Sequence, residues 1–350
     1  MVLRLMFLLA AAAALALPAA ASPLADHGAP PEMAARIRAL GAGFDGQVGI
    51  AVMDLKDGWT VAWNGDDRFS QESVAKLWTV IATLDAVDSG RVPIDEEALL
   101  TPADLSVFHE PIGDRIGRHG YKTFLAELVR AAIVDSDNAA NDVLVRRLGG
   151  TAAVQEVMRR KGLSGIRAGV QQRELQAHIA GLAWRPELDG GERLEAARSR
   201  LDPSVREAAM RRYLADPEDG ASALASVRAL KALNEGRLLS PDSTQRLLRL
   251  MHSTVHGEER LNGGLERGWT LAHKTGTGQH LGPLHIGSND IGILTAPDGH
   301  AYAAAVFEGS STAPLIVREG LMRRVAEAIV ETWRADMGDN STGARTPRTR

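Results

Sequence analysis

Phe69-Ser70-Gln71-Glu72-Ser73-Val74-Ala75-Lys76 is the stretch whose reading decides the fold. It leads into a strongly apolar helical pattern, Leu77, Val80, Ile81, Leu84 and Val87, which Gly90 ends. Ser73 therefore stands at a loop-to-helix junction, with Lys76 one turn on and on the same face. A serine hydroxyl is a weak nucleophile until a base takes its proton. A lysine can be that base when burial or a second cation lowers its pKa. A serine that only caps the helix, followed by a solvated lysine, would leave the same tetrapeptide.

Two distant motifs separate these readings. Ser136-Asp137-Asn138 follows the apolar run 128–134 and precedes a helix; Lys274-Thr275-Gly276 ends a predicted strand. Either alone is a cap or a turn. All three, in this order and in these contexts, form the pattern of an active-site-serine hydrolase.

The rest of the chain organises around them. Residues 31–40 read as a helix with Met33, Ile37 and Leu40 on one face, and 47–55 with 59–63 as a β-hairpin about Asp57-Gly58. Helices are expected over 121–134, 139–148 and 152–161, and a loop over 165–176. The charged segment 177–217 reads as helical, broken at Asp189-Gly190-Gly191. Helices follow at 221–234 and 241–252, then strands at 269–272, 290–295 and 301–307, and a closing helix at 315–333. Pro297-Asp298-Gly299 is the turn between the last two strands. Strands thus come from both ends of the chain and helices from its middle. The expected fold is α/β, an α+β sandwich: an antiparallel sheet with flanking helices, beside an all-helical lobe over about 70–240.

On these residues the chain resembles the class A β-lactamases, within the wider family of penicillin-interacting serine enzymes. The likeness spans roughly 31–333, with one insertion. It includes Phe69 ahead of the serine, Asn138-Ala139-Ala140-Asn141 at a helix start and Leu148-Gly149-Gly150 at its end. Ser288-Asn289-Asp290-Ile291, followed by Pro297-Asp298-Gly299, extends it. The resemblance implies that Ser73 attacks the carbonyl of a β-lactam or a D-Ala-D-Ala-like amide, with Lys76 as base or part of the proton relay. Ser136 would pass the proton to the leaving nitrogen, Asn138 hold the substrate's acylamide, and Lys274 keep the local potential positive. Thr275, Gly276 and Thr277 would bind substrate, the two hydroxyls taking its carboxylate. The backbone N–H groups of Ser73 and Thr277 would form the oxyanion hole. Arg260, 14 residues before Lys274, stands where some members keep a carboxylate-binding arginine; Asn289 stands where others keep theirs. No metal or organic cofactor is implied, and the chain is expected to be a monomer with a small-molecule partner.

One element of the family pattern is missing. Counting forward from Gly149-Gly150 and Gly162, Gln172 falls at the loop glutamate that activates the deacylating water, and Gln176 at the asparagine that holds it. A glutamine is no general base near neutral pH. An insertion over about 177–215 then interrupts the loop, before Asp216-Pro217-Glu218-Asp219 resembles its exit. Arg167 or Arg173 is expected to pair with Asp219 there. Three readings stay open: Glu174 replaces the base; Trp184-Arg185-Pro186-Glu187-Leu188-Asp189 supplies Glu187; or no dedicated base exists. The last fits a D-Ala-D-Ala carboxypeptidase or an esterase-like hydrolase; a β-lactam-binding or sensor protein that acylates and stops is a separate alternative.

The chain ends bear on location. Arg4, the apolar run 5–17 and Ala19-Ala20-Ala21 read as an export signal over 1–21, cleaved after Ala21. The run is too short to cross a bilayer, so a periplasmic or secreted protein without a stable membrane anchor is expected. The chain has no cysteine, which excludes a thiol nucleophile and any disulfide. Its net charge of −4, with no basic cluster, argues against a nucleic-acid partner. The catalytic domain is expected over 22–335 and a disordered tail over 336–350.

Overall fold

The structure is a computed structural model that describes residues 24–168, 171–188 and 191–341. The expected export signal lies outside the described residues. The amino-terminal part gives β1 (Leu24–His27), α1 (Pro31–Ala42), β2 (Val48–Asp54) and β3 (Thr60–Trp63). A central region gives α2 (Ala75–Asp88), β4 (Glu97–Leu100), β5 (Tyr121–Phe124), α3 (Leu125–Ile133), α4 (Asn138–Arg147) and α5 (Thr151–Arg160). It continues with α6 (Gln172–Ile179), α7 (Gly191–Ser199), α8 (Pro203–Ala215), α9 (Ala223–Asn234) and α10 (Pro241–His252). The carboxy-terminal part gives β6 (Thr270–Thr277), β7 (His280–Leu281), β8 (Leu284–Thr295), β9 (Ala301–Ser311) and α11 (Leu315–Ser341).

The main sheet is antiparallel, in the order β1-β3-β2-β9-β8-β6, with β7 paired to β8. It is drawn from the two ends of the chain, as the pattern predicts. Along β9 the side chains alternate between two cores, as a pleated strand requires. Tyr302, Ala304 and Val306 pack with Ile37 of α1 and Val325 and Ile329 of α11. Ala303, Ala305 and Phe307 face the helical lobe, with Trp78 and Ile81. Val325 and Ile329 are fully buried; each such side chain contributes about 1.5–3 kcal/mol relative to exposure. The helix α2 is apolar around nearly its whole circumference, and its buried residues run from Ala75 to Ala86. That makes it the central helix of the lobe.

Three expectations need correction. Residues 121–124 are extended rather than helical, because Tyr121–Phe124 pairs with Glu97–Leu100 in a two-stranded sheet. Residues 172–179 are a helix rather than a loop. Asp142 of α4 accepts the N–H groups of Gln172 and Arg173, and Leu175 and Ile179 pack on Met210, Tyr213 and Ile286. This satisfies the first orphan donors of a short helix from outside it. The closing helix continues to Ser341, six residues into the stretch expected as tail; residues 342–350 lie outside the described residues. Strand β1 went unanticipated; it borders β3. Much of the insertion folds as α7 and α8, and α8 covers α6. Among the described residues no helix is long and apolar enough to cross a membrane.

Candidate active site

A 3-10 turn, Glu72–Val74, delivers Ser73 to the start of α2. Lys76 is fully buried below it. Its Nζ lies 2.7 Å from Ser73 Oγ, 2.7 Å from Ser136 O and 3.4 Å from Ser136 Oγ. Burial lowers its pKa to about 8, against the opposing pull of Asp137, Asp142 and Glu72. The neutral amine, which alone can take a proton, is thus accessible near neutral pH.

Ser136 sits between α3 and α4 with φ 58°, the left-handed region that a serine seldom adopts. The neighbouring Asp137 holds it there by accepting the N–H groups of Ala140 and Ile112. On β6, Lys274 is also fully buried; its Nζ donates to Ser136 Oγ at 2.9 Å and to Thr275 O at 3.0 Å. Burial, with Lys76 and Arg260 nearby, pushes its pKa well below the usual lysine value. The Ser136 hydroxyl therefore lies within reach of both lysines. Asn138 donates from Nδ2 to Val107 O at 2.7 Å.

Gly276 brings β6 against the nucleophile turn. A Cβ there would lie 2.4 Å from Gln71 O, so only glycine permits the approach. Beside it, buried Arg260 donates from Nη1 to Gly276 O and Asn289 O, both at 2.9 Å, and from Nη2 to Thr277 Oγ1 at 2.7 Å. Asn289 instead ties the sheet to the turn, donating to Ser70 O and Gln71 O. Ser73, Ser136, Arg260, Thr275 and Thr277 line a cleft of about 300 Å³, together with His109 and His256. Sequence reasoning missed both histidines, which belong to no motif. Each has its Nε2 near Asp135 O, at 2.7 and 3.2 Å, and their rings meet edge to face. Burial, then the Lys274, His109 and Lys76 charges, lower the His256 pKa, while its contact with Asp135 O opposes them.

On the other flank stands α6. Gln172 and Gln176, one turn apart, are both buried. Gln176 donates from Nε2 to Glu72 Oε2 at 2.9 Å and accepts from Gln279 Nε2 at its Oε1, also at 2.9 Å. Arg198 of α7 donates to Gln279 Oε1 at 2.7 Å. Sequence reasoning also missed Glu72, which is buried, with φ 53°. Its Oε1 lies 3.1 Å from the Tyr213 hydroxyl, which lies 2.8 Å from Asp219 Oδ1. Burial and the Asp219 charge hold the Glu72 carboxyl well above the ordinary carboxylate range.

The candidate bases fall elsewhere. At about 100° per residue, Glu174 stands about 200° round α6 from Gln172. It accepts from Gln171 at 3.3 Å. The structure thus does not bring Glu174 to Ser73. Glu187 is exposed in a 3-10 turn of the insertion. Asp219 pairs with neither arginine; it accepts the backbone N–H groups of Gln71 and Glu72. Arg167 pairs with Asp216 at 2.6 Å, and Arg173 lies over the Trp184 ring at 4.4 Å.

Comparison with known proteins agrees with this geometry. A family model described as the beta-lactamase enzyme family matches residues 32–333. The β-lactamase VEB-1 of Pseudomonas aeruginosa is 24% identical over 288 residues, covering 82% of this chain and 84% of that protein. A β-lactamase of Rhodobacter capsulatus is 28% identical, over 82% of this chain and 84% of its own length. Among solved structures, a β-lactamase from Chitinophaga pinensis superposes with a TM-score of 0.69 and 29% identity, covering 87% of this chain and 99% of its own. The TLA-1 extended-spectrum β-lactamase shares the fold, with a TM-score of 0.71 at 23% identity over 86% of this chain and 99% of its own.

Proposed function

The chain belongs to the beta-lactamase enzyme family, and on that premise we propose that it hydrolyses β-lactams through an acyl-enzyme on Ser73. The observation that carries the reading is the contact of buried Lys76 Nζ with Ser73 Oγ at 2.7 Å, beside a Ser136 hydroxyl within reach of two lysines. The neutral Lys76 amine takes the Ser73 proton, and Oγ attacks the lactam carbonyl carbon. The backbone N–H groups of Ser73 and Thr277 receive the oxyanion. Ser136 hands its proton to the lactam nitrogen and takes the one that Lys76 received, the C–N bond breaks, and an ester remains on Ser73 with Lys76 neutral again. Thr275, Thr277 and Arg260 take the substrate carboxylate, Gly276 keeps the strand edge close, and Asn138 holds the acylamide.

Water must then cleave the ester. No carboxylate stands at Gln172, and Glu174 faces away, so hydrolysis is the slower half of the cycle. The same feature favours a second reading, a D-Ala-D-Ala peptidase that β-lactams acylate and leave slowly. Mass measurement of quenched reactions tests both. A Ser73 adduct that decays within the turnover time supports the β-lactamase; an adduct that persists supports the peptidase; no adduct and no hydrolysis overturns the proposal. Export to the periplasm belongs to the same reading, and amino-terminal sequencing of the mature protein checks the expected cleavage after Ala21.

A further inference from the structure

Glu72 has no role in the chemistry above, yet the fold makes a slot for it. A Cβ on Gly278 would lie 2.7 Å from Glu72 Oε1, and one on Gly287 2.5 Å from its Cγ. The turn after β6 and strand β8 thus give up side chains so that this carboxyl can lie between the nucleophile turn and α6. The hydrogen count fixes its state. Tyr213 has one hydroxyl hydrogen and stands between Glu72 Oε1 and Asp219 Oδ1. Asp219 also accepts two backbone N–H groups and is the anion of the pair. The Tyr213 hydrogen therefore goes to Asp219, and the Tyr213 oxygen needs a donor from Glu72. Only a protonated Glu72 supplies one, since two carboxylates sharing one hydrogen in a buried site repel.

We propose that Glu72 is a positioning residue for acyl-enzyme hydrolysis: as a neutral acid it ties the turn that carries Ser73 to Gln176 on the inner face of α6. This rests on the acyl-enzyme reading above. The groups that face Glu72 are Tyr213 from α8, Asp219 from the loop before α9, and Lys76 from α2. Arg198 of α7 acts at one remove, through Gln279 and Gln176. The turn after β6 and strand β8 face it with glycines. Gln176 donates from Nε2 to the Glu72 oxygen and accepts from Gln279 on its other side, so Glu72 is one of its two side-chain ties. Loss of the Glu72 proton sets a second anion against Asp219 and breaks the Tyr213 bridge, releasing the turn from α8, which packs on α6.

The test is single-turnover decay of the Ser73 adduct against pH, in wild type, E72Q and E72A, after acylation by a chromogenic cephalosporin. The E72Q amide reproduces the protonated acid: its NH₂ donates to Tyr213 and its oxygen accepts from Gln176. E72Q is expected to hydrolyse the adduct within about threefold of wild type at neutral pH, without the alkaline fall that wild type shows. E72A should lose more than about tenfold at every pH, because the tie is gone. An E72Q protein that stalls as the acyl-enzyme, or that keeps the wild-type alkaline fall, overturns the proposal; the former would make Glu72 a proton acceptor.

If wild type takes no acyl group, the proposed function fails, and the state of Glu72 is read from unfolding instead. A carboxyl whose folded pKa is raised binds a proton that the unfolded chain releases, so wild-type stability falls as pH rises between the two values. E72Q lacks that slope. Its gain in Tm over wild type should widen between about pH 5 and about pH 8, and a constant gap overturns the neutral-acid assignment.

Discussion

Two differently built regions flank Ser73. On one side stand Lys76, Ser136 and Lys274, with Arg260 at the edge: buried cations and hydroxyls in contacts of 2.7–2.9 Å, measured from Lys76 to Ser73, from Lys274 to Ser136 and from Arg260 to Thr277. On the other stand the amides of Gln172, Gln176 and Gln279, with Gln176 joined to Glu72, whose carboxyl burial and the Asp219 charge hold well above the ordinary carboxylate range. In the proposed cycle the first region moves protons during acylation. The second holds geometry and presents no ionised carboxylate to a water. The difference teaches that the two halves of one catalytic cycle are carried by separate structural units, and that one can be complete while the other is altered.

The comparison can be broken in several places. Ser73→Ala should lower β-lactam turnover by at least about 10³-fold, read as cephalosporin hydrolysis; a variant that keeps a tenth of the wild-type rate would remove Ser73 from the chemistry. Lys76→Met should slow acylation by about 10²–10⁴-fold, since it deletes a positioned base. The sign with pH follows from its depressed pKa. The amine is the active form, so wild-type acylation should rise as pH climbs through about 8 and fall below it as Lys76 gains a proton. The Met variant should lose that limb in stopped-flow traces.

Milder changes sharpen the contrast. Gln172→Glu places an ionisable group where the loop now has an amide, and should speed decay of the acyl-enzyme by about tenfold while leaving its formation unchanged. Arg260→Ala should raise KM about tenfold with a smaller change in kcat, because it removes a guanidinium from the carboxylate end of the cleft. Arg198→Ala should have the smallest effect, within about threefold on adduct decay, since it touches Gln176 only through Gln279.

The first region was legible in the sequence and the second largely was not. Ser73, Lys76, Ser136 and Lys274 announce themselves because each sits at a fixed point of a helix start or strand end. The hairpin β2–β3 and the helices α4, α5, α9 and α10 follow ordinary periodicity and caps; Ser222 and Ser240 accept N–H groups at the starts of α9 and α10. Helix α6 hides because its buried face interleaves Gln172 and Gln176 with Leu175 and Ile179, which weakens the apolar period, and because its cap comes from Asp142, 30 residues earlier. Glu72 hides because nothing local marks its burial. Its slot is made by Gly276, Gly278 and Gly287, and its partners Tyr213 and Asp219 lie about 140 residues along the chain. Strand β5 was read as helix because only its pairing with β4 holds it extended.

The most direct measurement is rapid-quench mass spectrometry of wild type during steady turnover of a cephalosporin. A complete acylation region beside a loop without a carboxylate base predicts that most of the protein carries the substrate's acyl mass on Ser73 throughout. Substrate consumed while the protein stays unmodified at every quench time would contradict it.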